Sequence, residues 1–264
     1  MIDVTLEQFG LPTSNQWGSS QQSYVLEMIK HAQDQSLTDL ALHVGYHFEV
    51  AVTGIDPPFW RKGMLRLFIS HLASHRGFAA ELQEALLAFG ISAFVAHSDI
   101  EPTKEWQTQI ETALATCDTL LALLHPEFHE SKWTDQEIGF AMGRGVAVFS
   151  VRLGHDPYGF IGRFQAFNGS SKPAAVLAEE LCNAYRKNKQ TQHRMAEVVV
   201  TLFEESGSFA GAKTRVGYLE DLEIWEPSFA TRITSAAQAN SQIVGSWGVA
   251  GRIEALVKKW ANQK

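Results

Sequence analysis

Cysteine is scarce in this sequence, and this scarcity excludes classes of protein that depend on many cysteines. Cys117 and Cys182 are the two cysteines among 264 residues, too few for a disulfide scaffold or a zinc ribbon. No run of about 18 uncharged apolar residues occurs, so no membrane span is predicted. The first twenty residues carry two acidic and no basic side chains, which is unlike a secretory signal. These absences favour a cytoplasmic protein without a membrane partner.

Positive charge is also in short supply. The net charge is −7, divided as −4 over residues 1–62, −5 over residues 63–170 and +2 over residues 171–264. Proteins that bind nucleic acid without sequence preference neutralise phosphates with Lys and Arg, so nucleic acid is not expected as a partner of this chain. Walker A, G-x-G-x-x-G and G-x-S-x-G motifs are missing as well, which argues against P-loop, Rossmann and serine-hydrolase chemistry.

The middle of the chain alternates short apolar segments with amphipathic ones. The apolar segments predict strands at 65–70, 91–96, 119–124 and 146–151. The amphipathic segments predict helices at 78–89, 105–116 and 135–143. Strands that do not alternate apolar with polar residues are buried on both faces, as in a parallel sheet covered by helices. The predicted fold class is therefore α/β, with a flavodoxin-like open parallel sheet.

Helical segments are expected before and after this α/β block in the sequence. Residues 1–62 predict a small helical N-terminal segment, with Ser19 or Ser20 as a helix cap. Its end, Gly54–Trp60, is predicted to be a linker because its two prolines cannot extend a helix. Residues 171–264 predict a helical C-terminal region. The α/β domain is accordingly assigned to residues 63–170.

Ligands of open parallel sheets bind beyond the carboxyl ends of the strands. The carboxyl ends of the first three predicted strands carry Ser70, His71 and Leu72, then His97, Ser98 and Asp99, and then His125, Pro126 and Glu127. We expect a binding site where these residues meet.

Four stretches of the α/β block carry a resemblance to a known family. They are Arg66–Arg76, Gly90–Trp106, Asp118–Gly145 and Val148–Phe167. In this order they resemble a TIR (Toll/interleukin-1 receptor) domain, in a form common among bacteria. The third stretch contains a W-x-x-x-E motif that runs from Trp133 to Glu137.

The resemblance implies two classes of function. Many bacterial and plant TIR domains, and some animal ones, cleave the nicotinamide–ribose bond of NAD+, yielding ADP-ribose or a cyclic isomer of it. The Glu of the motif, here Glu137, is then the catalytic residue, and NAD+ is a substrate rather than a cofactor. Prokaryotic antiphage defence is the implied setting. The alternative is a non-enzymatic assembly module, as animal adaptor TIR domains are. Such a module recruits effector or sensor proteins through the loop after the second strand, which is called the BB loop.

The resemblance also implies substrate-binding residues and self-association. Ser70, His71 and Leu72 are expected to border the nicotinamide pocket. His97, Ser98 and Asp99 fall in the BB-like loop, which contacts the nucleotide or a neighbouring subunit in family members. Self-association follows because a neighbour's BB loop often completes the site.

The residue types of the motif suit glycosidic-bond cleavage. Loss of nicotinamide leaves positive charge on the ribose, which a positioned carboxylate stabilises. Nicotinamide leaves as a neutral molecule, so a second carboxylate is not required. Trp133 and Glu137 are four residues apart and share one helix face, so we expect the indole to wall the site beside the carboxylate.

Two other interpretations have less support in the sequence. The pairs His71/His75 and His125/His129 have metal-ligand spacing, but no third ligand is evident, so no metal site is predicted. A phosphoacceptor receiver needs acidic residues after the first strand and an Asp after the third. Here those positions hold Ser70, His71 and His125, so this class is rejected.

Overall fold

A computed structural model of the chain describes residues 2–14, 18, 20–33, 36, 37, 40, 43, 57–95 and 104–262. It divides into two compact units, Met1–Gly54 and Ile55–Lys264. Within its described residues, no helix is both long enough and apolar enough to cross a lipid bilayer.

The larger unit contains a parallel sheet. Its strands are β1 (Leu65–Ser70), β2 (Ile91–Val95), β3 (Thr119–Leu124), β4 (Ala147–Arg152) and β5 (Phe167–Asn168). They lie in the order β2-β1-β3-β4-β5, and each neighbouring pair is parallel. The predicted fold class is confirmed. The four predicted strands match β1 to β4 within one residue at each end, whereas β5 was not predicted.

Helices cover both faces of this sheet. They are α3 (Arg76–Leu87), α4 (Lys104–Thr116), α5 (Thr134–Gly143) and α6 (Ala174–Lys187). α3 and α6 share one hydrophobic core with Leu67 and Ile69 of β1. α4 and α5 share the opposite core with Phe68. Because neighbouring residues of a strand point to opposite faces, β1 contributes to both cores.

The C-terminal helices surround a core of their own. They are α7 (Gln192–Glu204), α8 (Phe209–Glu220), α9 (Pro227–Ala239), α10 (Ser241–Val244) and α11 (Val249–Ala261). Val199 and Phe203 of α7 lie in this core, whereas Met195 and Val198 of the same helix lie in the core of the sheet. α6, which we assigned to the C-terminal region, also packs against the sheet. The division at residue 170 stays a prediction.

Short helices occur among the described residues of the smaller unit. α1 spans Ile2–Gln8 and α2 spans Gln21–Ile29. The side chain of Ser20 accepts a hydrogen bond from the backbone N–H of Ser23, which confirms one of the two predicted caps. Leu6, Leu11 and Tyr24 form a small core.

Part of the predicted linker belongs to the core of the sheet. The side chain of Trp60 is buried, and its indole N–H donates to Thr116 Oγ1 at 2.8 Å. The expectation of a linker through Trp60 was therefore wrong at this end. Proline cannot extend a helix, but this does not show whether a nearby aromatic side chain is buried. Residues 54–56 lie outside the described residues.

Candidate active site

Two polar side chains meet at the carboxyl end of β1. Ser70 is the last residue of β1 and is 1% exposed, while Glu137 lies in the first turn of α5 and is 7% exposed. The Ser70 hydroxyl donates to Glu137 Oε2 at 2.5 Å. The two residues are 67 positions apart in the sequence, and the alternation of β1 directs Ser70 toward the face that α5 covers.

The start of α5 is fixed by several polar contacts. Ser131 Oγ accepts hydrogen bonds from the backbone N–H groups of Trp133 and Thr134, at 3.2 and 3.4 Å. Thr134 Oγ1 donates to the carbonyl of Phe128 at 2.9 Å, and Phe128 is fully buried. The first turn of α5 is thereby anchored to the segment that follows β3, and this holds Glu137 in place.

Burial dominates the electrostatics of Glu137. Loss of solvent raises the pKa of this carboxyl group to about 7, and the hydrogen bond from Ser70 acts in the opposite direction. The positive end of the α5 dipole also favours the carboxylate. Both protonation states are therefore populated near neutral pH, as is common for groups that act in acid–base or electrostatic catalysis.

Trp133 and Glu137 have different environments although they are one helical turn apart. The backbone N–H of Glu137 bonds to the carbonyl of Trp133 at 2.9 Å. Glu137 is buried, but the side chain of Trp133 is 46% exposed. The carboxylate is therefore not a solvated helix side chain, and the indole is not an anchor of the core. That Trp133 walls the site stays a prediction.

The other predicted binding residues divide into two groups. His71 and Leu72 directly follow Ser70 and are half-buried. His71 Nδ1 lies 3.1 Å from the carbonyl oxygen of Ile69. The second group, His97, Ser98 and Asp99, lies outside the described residues. The binding roles of both groups stay predictions.

Two histidines stack on each other at the same edge of the sheet. The sequence placed His125 at the end of the third strand but did not predict its contact with His75. The ring of His125, which follows β3, stacks on the ring of His75, which precedes α3. Their centroids are 3.3 Å apart and their planes differ by 6°. The i, i+4 spacings of His71/His75 and His125/His129 mark both residues of the stack, but as possible metal ligands. No group of three or more His, Cys, Asp or Glu able to hold a metal occurs in the described part of the chain.

A tyrosine contact beside α5 was also missed. The Tyr158 hydroxyl donates to Asp135 Oδ1 at 2.6 Å, which ties the segment after β4 to the first turn of α5. The Tyr158 ring also contacts His129 and His155. Burial and the neighbouring carboxylate raise the pKa of Tyr158, so its hydroxyl is a donor at neutral pH. No local sequence pattern links Tyr158 to Asp135.

Comparisons with known proteins give one positive result. Residues 67–182 match the family model described as TIR domain. This match includes the site residues from Ser70 to Glu137 and extends into α6, in agreement with the packing of α6 on the sheet. No match was found among curated proteins or solved structures.

Proposed function

Since this chain is a TIR domain protein, with its domain at residues 67–182, we propose that it cleaves NAD+ between nicotinamide and ribose. Glu137 is the catalytic carboxylate in this proposal. The observation that carries it is the burial of Glu137 at the carboxyl end of β1, held by Ser70. This is the edge at which parallel sheets bind ligands.

The chemistry requires one negative charge at a fixed position. As the bond from ribose C1′ to the nicotinamide nitrogen breaks, both electrons leave with nicotinamide, and positive charge develops on C1′ and the ring oxygen. A carboxylate held in a site of low polarity stabilises that charge more strongly than one in water. Water then adds to C1′ and loses a proton to give ADP-ribose, or a nucleophile of the same molecule adds to give a cyclic isomer.

Release of nicotinamide tests this assignment. Purified full-length protein is incubated with NAD+, and the free nicotinamide is measured for the unaltered protein and for Glu137→Gln. We expect the substitution to lower the rate by about 100-fold or more, in the range known for lost electrostatic stabilisation. The matched control is Glu81→Gln, which alters an exposed carboxylate on α3 and should leave the rate unchanged. Equal rates for the unaltered protein and Glu137→Gln would exclude Glu137 as the catalytic residue.

We further propose antiphage defence in the cytoplasm of a prokaryote as the biological setting. The resemblance to bacterial TIR domains supports it, and two free, buried cysteines suit a reducing compartment. Cells that express the unaltered protein should lose NAD+ or accumulate a cyclic nucleotide when phage infects them, and cells that express Glu137→Gln should not. Protection that is equal in both would exclude NAD+ cleavage as its cause.

Assembly through the TIR domain is the second candidate function. Several large apolar side chains of this domain are exposed, as expected of a protein contact surface: Trp133, Phe140, Phe160 and Phe164. A non-enzymatic module would keep its cellular activity in Glu137→Gln and lose it in Asp99→Arg, which alters the BB-like loop. The reverse result favours the enzyme. Molecular mass measured with and without NAD+ tests self-association in either case.

A further inference from the structure

The helix that follows β1 begins without a side-chain cap. The chain leaves Ser70, forms a 3-10 turn at Ala73–His75 and continues into α3. Among the described residues, neither Leu72 nor His75, which precede these two helical segments, makes a capping hydrogen bond through its side chain. The first turn of α3 also holds no acidic residue. The backbone N–H groups of His75 and Arg76 already bond to the carbonyls of Leu72 and Ala73, and the positive end of the α3 dipole favours an anion beside this turn.

A buried histidine lies against this helix start. His125 is 7% exposed and stacks on His75. Its Nε2 atom is buried and has no hydrogen-bond partner within the part of the chain that the structure describes. Buried polar atoms of native proteins are nearly always paired, so an unpaired imidazole nitrogen in this stack indicates a partner that binds there.

The surroundings of His125 keep its ring neutral in the absence of a ligand. Burial lowers the pKa of His125 to about 4, and the nearby rings of His75 and His71 act in the same direction, while Glu127 opposes them. A bound anion would favour the protonated ring and would raise this pKa. Anion binding near neutral pH should therefore be accompanied by uptake of a proton.

We propose that the Ala73–His75 turn and the imidazole rings of His75 and His125 bind the diphosphate of a dinucleotide. The choice of a dinucleotide rests on the proposed function, while the preference for an anion rests on the contacts described above. His75 is half-buried, and the proposal requires its side chain to rotate out of the stack so that a phosphate oxygen can reach His125. Because residues 63–170 carry a net charge of −5, a broad positive field does not hold the phosphates, and local donors are needed.

Isothermal titration calorimetry of the full-length protein tests this subsite. The probes are ADP-ribose and inorganic pyrophosphate, each titrated at pH 7 in two buffers with different ionisation enthalpies. His75→Phe and His125→Phe keep a flat ring but remove the nitrogens, and His193→Phe is the matched control at an exposed histidine of α7. We expect the first two variants to bind both probes about tenfold more weakly or worse. The control should bind them as the unaltered protein does.

Proton uptake provides a readout that a structural role of the histidines would not give. The unaltered protein should take up protons when it binds either probe, and His125→Phe should take up fewer. This measurement on the unaltered protein keeps the test decisive even if a variant does not fold. Absence of binding, absence of proton uptake, or unchanged affinity in both histidine variants would each overturn the subsite.

The diphosphate subsite and the proposed NAD+ cleavage can be contradicted independently of each other. If the unaltered protein releases nicotinamide but its affinity for both probes does not depend on His75 or His125, the subsite is wrong and the proposed function stands. If it never releases nicotinamide but binds ADP-ribose with the expected dependence on both histidines, the subsite stands and the proposed function is wrong.

Discussion

Burial and one hydrogen bond act in opposite directions on the carboxyl group of Glu137. Ser70→Ala removes the hydrogen bond, which lowers the pKa of Glu137, and leaves the burial. The pKa should therefore rise further, and under the proposed function the acidic limb of kcat/KM for NAD+ should move to higher pH. The loss of activity should then be larger at pH 6 than at pH 8.

A pH profile of nicotinamide release measures this shift. The carboxyl ¹³C shift of Glu137 reports the same titration without depending on catalysis. Ser150→Ala is the control, because Ser150 is a buried strand serine of β4 outside the proposed site. Identical titration curves for Ser70→Ala and the unaltered protein would show that the hydrogen bond does not tune Glu137.

The raised pKa of Glu137 also predicts a cost in stability. The group titrates near 4.5 when unfolded and about 7 when folded, so between these values the folded state binds more protons. Its contribution to the free energy of unfolding therefore falls as pH rises through this window. Glu137→Gln, which cannot ionise, should be more stable than the unaltered protein at pH 8, by about 3 kcal/mol as an upper limit.

Urea denaturation at several pH values tests the predicted direction of the stability difference between Glu137→Gln and the unaltered protein. The difference between the two proteins should disappear at pH 4 and below, where Glu137 is protonated in both states. A Gln variant that is less stable at pH 8 than the unaltered protein would contradict the argument.

At the scale of elements, the hydrogen bond from the Trp60 indole to Thr116 connects the segment before β1 to the end of α4. Thr116→Val keeps the shape of the side chain but leaves the buried indole N–H without its acceptor. An unsatisfied buried donor costs about 1–3 kcal/mol. The control is Thr112→Val, because the exposed Thr112 hydroxyl bonds to the carbonyl four residues earlier in the same helix, as that of Thr116 does.

Thermal or urea unfolding of the two variants gives the comparison. We expect Thr116→Val to lower the free energy of unfolding by about 1–3 kcal/mol. Thr112→Val should change it by less than about 0.5 kcal/mol. Equal stability of the two variants would mean that the indole bond contributes nothing.

The elements that sequence could predict are those with a strong local pattern. β3 is six consecutive buried residues, so its apolar run predicted both of its ends. β5 is a pair of residues, too short for any periodicity. Glu137 could be proposed from its motif, but its burial and its bond to Ser70 depend on packing between segments far apart in sequence. The stack of His75 on His125 depends on the pairing of β1 with β3 in the same way.

At the scale of the larger unit, one helix joins the sheet to the C-terminal helices. α7 contributes residues to both cores, and Arg194 donates to the carbonyl of Met64, just before β1, at 2.8 Å. The helix approaches closely at Gly90, just before β2. A Cβ atom there would lie 2.4 Å from Val198 Cγ1 and 3.1 Å from Leu202 Cδ1. The sheet and the C-terminal helices should therefore lose stability together when this contact is disturbed.

Gly90→Ala tests this coupling, with Gly63→Ala as its control. Both glycines have positive φ, +71° and +80°, but a Cβ at Gly63 meets no atom within 4 Å. Both variants share the cost of a left-handed alanine, and Gly90→Ala adds overpacking worth about 1–3 kcal/mol. In urea unfolding, Gly90→Ala should be the less stable of the two. Adding Val198→Ala, which removes the clashing methyl group, should reduce the additional loss of stability that Gly90→Ala shows over Gly63→Ala. If this additional loss persists unchanged in the double variant, Val198 is not the limiting contact.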